Sequence, residues 1–132
     1  MLKITKKTEY ALIALTHIKG NKDLLISSKD ISKHYNIPTE LMAKTLQLMA
    51  RVGYIKAVKG SHGGYQSNSS LDKVSLKEFI ESIEGPLALT DCSSTDNCNQ
   101  LATCNIKGPI NRINDNLLNF LDNISLMEIT KQ

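Results

Sequence analysis

Along the first twenty residues, Tyr10, Ala11, Ala14, Leu15 and Ile18 recur three and four positions apart. That period lays side chains along one face of a helix. Thr5 stands where a side-chain oxygen can cap the first turn, and Gly20 supplies a stop. The next run, SSKDISKHYNIPTELMAKTLQLMARVGYIKAVKG, holds two helical stretches with very little between them. Ser28 is expected to cap a short helix through about Tyr35, and Asn36-Ile37 to form a tight turn. Pro38 then opens a second helix, where its missing N–H is not needed. That helix carries an apolar stripe of Leu41, Met42, Thr45, Leu46, Met49 and Val52, and Gly53 ends it. Two helices joined by so short a turn form a helix-turn-helix.

Beyond Gly53 the period changes. YIKAVKG alternates as a strand does, GSHGGYQ supplies a turn, and a second strand follows around Tyr65. A hairpin placed after a helix-turn-helix is a wing. Ser75 caps a further helix, SLKEFIESIEG, which Gly85-Pro86 terminates. Near the end, Ile110, Ile113, Leu117, Phe120 and Ile124 alternate three and four apart over about two heptads, a packing seam on one long helix. An amphipathic helix beyond its own domain's core pairs most simply with its twin, so this is read as a dimerisation helix. The expected fold is mainly α with a small β-hairpin wing: a winged helix-turn-helix domain over residues 1–85, a cysteine loop over 86–107, and a dimerisation helix and tail over 108–132.

Charge sharpens the picture. The net charge of +3 conceals an uneven split: residues 1–60 hold 11 Lys/Arg against 4 Asp/Glu (+7), and residues 61–132 hold 5 against 9 (−4). A basic half suits a polyanionic partner such as double-stranded DNA. The first turns of the second helix would enter the major groove, which nominates Pro38, Thr39, Glu40, Ala43 and Lys44. Thr39 and Lys44 can bond phosphate or base edges, and Glu40 can accept from a cytosine amino group. On the wing tip, Lys59, Ser61 and His62 stand between glycines that let the backbone approach a phosphate or a narrow minor groove. Lys3, Lys6 and Lys7, with Ser28 at the head of the first motif helix, would add backbone contacts that carry no sequence information. The opening residues, MLKITKKTEY, lack a signal peptide's apolar run, and no stretch approaches a membrane span. The expectation is a soluble, cytoplasmic protein with no membrane partner.

All the chain's cysteines, Cys92, Cys98 and Cys104, lie in CSSTDNCNQLATC at even six-residue steps. On a helix such steps turn by about 240° each, and on a strand successive thiols lie roughly 20 Å apart. The thiols converge only if the chain loops around something, and the intervening Ser, Thr, Asp and Asn bury too little to order that loop unaided. A disulfide framework is disfavoured by the odd count and a reducing compartment. Catalytic thiol chemistry would want a nearby histidine, yet His17, His34 and His62 all lie in the DNA-binding domain. Structural zinc prefers closer pairs and four protein ligands. An iron–sulfur cluster accepts wider spacing and a non-cysteine ligand at one iron. Cluster, zinc and unligated redox thiols remain open, with the cluster favoured by the spacing.

The winged start, the wing VKGSHGGY, the helix SLKEFIESIEGPL, the cysteine triplet and the terminal helix together resemble the IscR/NsrR family of iron–sulfur transcription regulators over essentially the whole chain. GSHGGY, EGPLALTDC and NRIND look most like the Suf-system regulators of iron–sulfur assembly genes. The resemblance implies a homodimer on a palindromic operator, no enzymatic activity, and one cluster per subunit, 2Fe-2S or alternatively 4Fe-4S, held by Cys92, Cys98 and Cys104. IscR-type members take a histidine three residues past the last cysteine, where this chain has Lys107. NsrR-type members take a carboxylate from the partner's first helix, and Glu9 stands at that place. The implied function is a cluster-sensing repressor of Suf-type genes; a nitric oxide sensor is the alternative within the class, and a redox or electron-transfer protein the alternative outside it. Ala43 replaces a glutamate, and Lys59 an arginine, that relatives often carry, so operator preference should differ from theirs.

Overall fold

The computed structural model describes residues 3–68, 71–90 and 98–131. Helix α1 spans Lys6–Gly20, and the Thr5 hydroxyl oxygen accepts from the Thr8 amide at its start, as the sequence suggested. Ala11, Ala14, Leu15 and Ile18 are fully buried along one face. Side chains the size of Leu15 and Ile18 each contribute roughly 1.5–3 kcal/mol by leaving water. Helices α2 (Ser28–Tyr35) and α3 (Thr39–Val52) follow. Asn36 adopts the left-handed conformation between them (φ 55°) and turns the chain within three residues.

Two boundaries differ from the sequence expectation. The α2 cap is Ser27, one residue before Ser28: its hydroxyl accepts from the Asp30 amide at 3.1 Å, while Asp30 Oδ2 accepts from the Ser27 amide at 3.3 Å. This reciprocal box needs an acid three residues on, which Ser27 has and Ser28 lacks. Pro38 is likewise the residue before α3, its carbonyl accepting from the Met42 amide at 3.0 Å. Within α3, Met42, Thr45, Leu46 and Met49 are buried, but Leu41 and Val52 flank the stripe and are exposed. Gly53 closes the helix at φ 101°, a conformation that disfavours any side chain.

The wing is the antiparallel pair β1 (Ile55–Val58) and β2 (Gly64–Ser67), in the register Ile55↔Ser67 to Val58↔Gly64. Ile26 adds a bridge on the far side of Tyr65, exchanging backbone hydrogen bonds of 2.8 and 2.9 Å. A Cβ at Gly64 would sit 2.9 Å from the Ile26 carbonyl oxygen, so this close approach requires glycine. A short 3-10 turn (Leu71–Lys73) leads to α4 (Leu76–Glu84), capped by Ser75 and packed through Phe79 and Ile83 onto the winged core. Tyr54 meets Phe79 with ring centroids 5.2 Å apart.

The C-terminal region is two helices rather than one. Helix α5 runs Lys107–Asp122, and after a bend α6 runs Leu126–Ile129. The bend is fixed by backbone bonds of 2.8 Å from Leu76 N–H to the Ile124 carbonyl and from Leu126 N–H to the Val74 carbonyl. Leu126 is thereby delivered, fully buried, into the winged core. Ile124, counted in the apolar seam, therefore lies past the end of α5. Among the described residues, no helix is long and apolar enough to cross a membrane.

Candidate DNA-reading face and cysteine cleft

The start of α3 presents Pro38, Thr39, Glu40 and Lys44 to solvent, with Ala43 half-buried behind them. The apolar stripe holds this helix against α1 and α2, so its polar opening turns face outward. The sharp wing turn exposes Lys59, Ser61 and His62. Gly60 takes φ 119° there, and a Cβ at Gly63 would collide with the Val58 carbonyl oxygen. The glycines thus set the tightness of the tip as well as its access. Ser28 occupies the first turn of α2, half-buried.

Lys3 and Lys6 lie at the N-terminal end of α1. Lys3 borders a groove of about 260 Å³ between the head of α1, α4 and α5, which Leu76, Ile80, Leu89, Leu117 and Leu121 line with aliphatic surface. Lys6 pairs with Glu9 at 3.0 Å, one turn on. That carboxylate raises the Lys6 ammonium above its ordinary value by hydrogen bonding first and by charge second.

Between α1 and the end of α2 lies a cluster that periodicity did not reveal. His17 Nδ1 is 2.8 Å from the Tyr35 hydroxyl, and the His17 and His34 rings stand 5.3 Å apart by centroid. Tyr35 meets both rings edge-on. The cluster ties α1 to the end of α2. Burial, and then His34, push His17 below its ordinary value, while Asp30 acts weakly the other way.

The cysteine region is open by comparison. Cys98 and Cys104 carry free thiols, both half-buried. They line a common cleft of about 500 Å³ with Thr90, Gln100, Thr103, Lys107 and Ile110. Cys98 Sγ reaches Gln100 Oε1 at 3.7 Å. Cys92 lies outside the described residues, shortly after the cleft-lining Thr90 in sequence. Two half-buried thiols lining one cleft suit a thiophilic inorganic group. Lys107, in the position of the IscR-type histidine, also borders the cleft. Glu9 does not border it; within its own chain it faces Lys6. No group of three His, Cys, Asp or Glu side chains converges among the described residues.

The α5 seam divides between two faces. Ile113 and Phe120 are 54% and 63% exposed, Ile106 is also exposed, and Ile110 is half-buried beside the cleft. Leu117 turns inward to the α1–α4 groove. Asn114 is the buried residue of the helix, its Oδ1 accepting from the Leu89 amide at 2.9 Å. The sequence offered no sign of this role beyond a polar residue within an apolar face.

A short-turn helix pair, a hairpin wing and an exposed polar opening on the second helix define a winged-helix DNA-binding regulator. The family model described as Rrf2, iron-dependent transcriptional regulator, matches residues 4–132, and the chain belongs to that family. The family's members are transcriptional regulators, not enzymes. Solved structures share the fold. CymR, the global cysteine regulator of B. subtilis, is 23% identical with a TM-score of 0.74, covering 98% of this chain and 97% of its own. Staphylococcus aureus CymR is 22% identical at 0.71, covering 97% and 98%. IscR of T. potens is 19% identical at 0.72, covering 98% and 87%.

Proposed function

We propose that this chain is a homodimeric, iron–sulfur cluster-sensing repressor that binds a palindromic double-stranded DNA operator before genes of Suf-type cluster assembly. The observation that carries the reading is the shared cleft of Cys98 and Cys104, lined also by Thr90, which stands two residues before Cys92 in sequence. The family description as iron-dependent, and the IscR name of one structural neighbour, point the same way. Cys92, Cys98 and Cys104 would hold the cluster as thiolates, and Glu9 of the partner subunit would be the fourth ligand. The cluster, 2Fe-2S in this reading, supplies a group whose presence tracks iron and sulfide supply and which oxidants remove.

The chain's own residues do the rest. Thr39, Glu40 and Lys44 read the groove; Lys59, Ser61 and His62 hold the adjoining backbone. Ile113 and Phe120 supply the apolar face that a second copy would cover, which accounts for their exposure. Glu9 lies on the helix that supports α3 and pairs with an exposed cation, Lys6, so exchange of Lys6 for a cluster contact would be felt at the reading heads.

Anaerobic purification with iron, sulfide and zinc analysis, followed by footprinting of loaded and stripped protein, tests this. The expected result is a pigmented dimer with matched iron and sulfide whose operator affinity changes when the pigment is removed. A colourless, sulfide-free preparation from iron-replete cells would overturn it. A second reading, sensing through unligated thiols, is favoured by the two free thiols on one cleft. It predicts that same colourless preparation, with an operator affinity that responds to thiol oxidation.

A further inference from the structure

Glu84 is the last residue of α4, where a carboxylate stands against the negative end of the helix dipole. The last turn holds no basic residue to offset it. The side chain instead crosses to the head of α1. The Thr8 hydroxyl donates to Glu84 Oε1 at 2.9 Å, and the Thr5 hydroxyl donates to the same oxygen. Thr8 is fully buried, so without Glu84 its hydroxyl would be stranded in the interior. Thr5 is at the same time the α1 cap, accepting from the Thr8 amide. One carboxylate therefore closes the positive end of α1 from the negative end of α4.

The chain beyond Glu84 gives this clasp its importance. Gly85 begins the lead-in to the cysteine segment, and that lead-in is pinned twice more. The Leu87 amide donates to Glu81 Oε2 at 3.4 Å, and the Leu89 amide donates to Asn114 on α5 at 2.9 Å. The stretch is thus tied at one end to the α1 turn that carries Glu9 and at the other to α5. The Thr5 and Thr8 bonds hold the residue from which this lead-in starts, and the Glu81 and Asn114 bonds hold the lead-in itself.

We infer that Glu84 is a positioning residue which fixes the first turn of α1 to the lead-in of the cysteine segment, so that the state of the cysteine cleft is transmitted to α1. The transmission to the cleft rests on the cluster reading above; the mechanical tie does not. Glu84→Gln keeps an oxygen that accepts both hydroxyls, whereas Glu84→Ala removes it. Thr8→Val deletes one donor while filling the same volume.

Two measurements on the full chain separate the claims. In stripped protein, amide hydrogen exchange at residues 5–9 and at 85–89 should quicken together by about fivefold or more in Glu84→Ala and in Thr8→Val, and stay near wild type in Glu84→Gln. Exchange that quickens in only one of the two segments, or a Gln variant no better than Ala, would overturn the tie. In anaerobically loaded protein, Glu84→Ala should shorten the lifetime of the visible absorption in air by about fivefold or more and bring the loaded-to-stripped affinity ratio towards one, with Gln again close to wild type. An unchanged lifetime and ratio would overturn the transmission. A wild type that holds no iron or sulfide would count against the cluster reading alone, and the exchange data would still decide the clasp. Should Glu84→Ala fail to fold, the Thr8→Val and Glu84→Gln pair carries the same contrast.

Discussion

The winged half and the cysteine half of this chain are built to different standards of closure. In the first, α1, α3 and α4 pack Leu15, Ile18, Leu46, Met49 and Phe79 out of contact with water, and every helix has its cap or stop. In the second, α5 buries only Asn114, begins without a side-chain cap, and leaves Ile113 and Phe120 largely in solvent. The two described thiols, Cys98 and Cys104, open on a cleft that no described side chain fills. A domain that meets its own needs can be a rigid reading head. A region that leaves apolar surface and soft donors unmet is shaped by what joins it.

The contrast breaks most visibly in a pair of phenylalanines. Phe79→Ala removes a fully buried ring from the winged core and should cost about 3–5 kcal/mol, read as a large fall in thermal midpoint. Phe120→Ala, at 63% exposure, should leave the fold of the single chain nearly untouched. Phe120→Glu should instead weaken self-association by roughly 100-fold, on the order of 2.7 kcal/mol, in sedimentation equilibrium. If Phe120→Glu stays as dimeric as wild type, α5 is not the surface through which two copies meet. The cysteines extend the comparison: Cys98→Ala should abolish bound iron and sulfide while shifting the stripped protein's thermal midpoint by less than about 2 °C, because the thiol packs into no core.

The two halves also differed in how far they could be read in advance. The helix-turn-helix and the wing were plain because their information is local: a 3.6-residue stripe closed by Gly53, then alternation around a glycine turn. Even the Ser27–Asp30 box was available locally, since the serine that has an acid three residues on is Ser27, not Ser28. Apart from the starts of α2 and α3, the misses were long-range. Nothing near Thr8 announces Glu84, 76 residues later, and nothing near Leu89 announces Asn114. The continuous apolar period through Ile124 concealed the bend at Asn123, because the bend is fixed by backbone pairing with residues 74–76. The thiols were legible as a set, but spacing alone left cluster, zinc and free thiols standing; the cleft relates Cys98 to Cys104, and Cys92 lies outside the described residues.

On the reading head itself, the wing tip separates affinity from recognition. Lys59→Ala removes one exposed charge from a turn whose backbone is fixed by Gly60 and Gly63. Operator binding should weaken by about three- to tenfold at moderate salt, and the slope of log affinity against log salt should fall by about one. The loss should be nearly equal on a scrambled duplex. A loss confined to the operator would make Lys59 a base reader and return to the wing a share of the recognition given to α3.

The smallest effect probes whether the reading head is as self-contained as its packing suggests. Burial and His34 hold His17 below its ordinary value in the folded chain, with Asp30 opposing them and Tyr35 bonded to the ring nitrogen. A histidine whose folded value is depressed binds a proton more readily when the chain unfolds, so stability rises with pH across this range. The contribution is present above the unfolded value of about 6.5 and is lost as pH falls through that value towards the folded one. His17→Gln keeps a polar partner for Tyr35 and removes the titration. Between about pH 7.5 and 5.5 the wild type should lose slightly more in thermal midpoint than the variant does. Equal losses would mean that the α1–α2 joint does not feel this proton. A larger loss in the variant would mean that His17 gains a counter-charge on protonation, and that the joint answers to acid with the opposite sign.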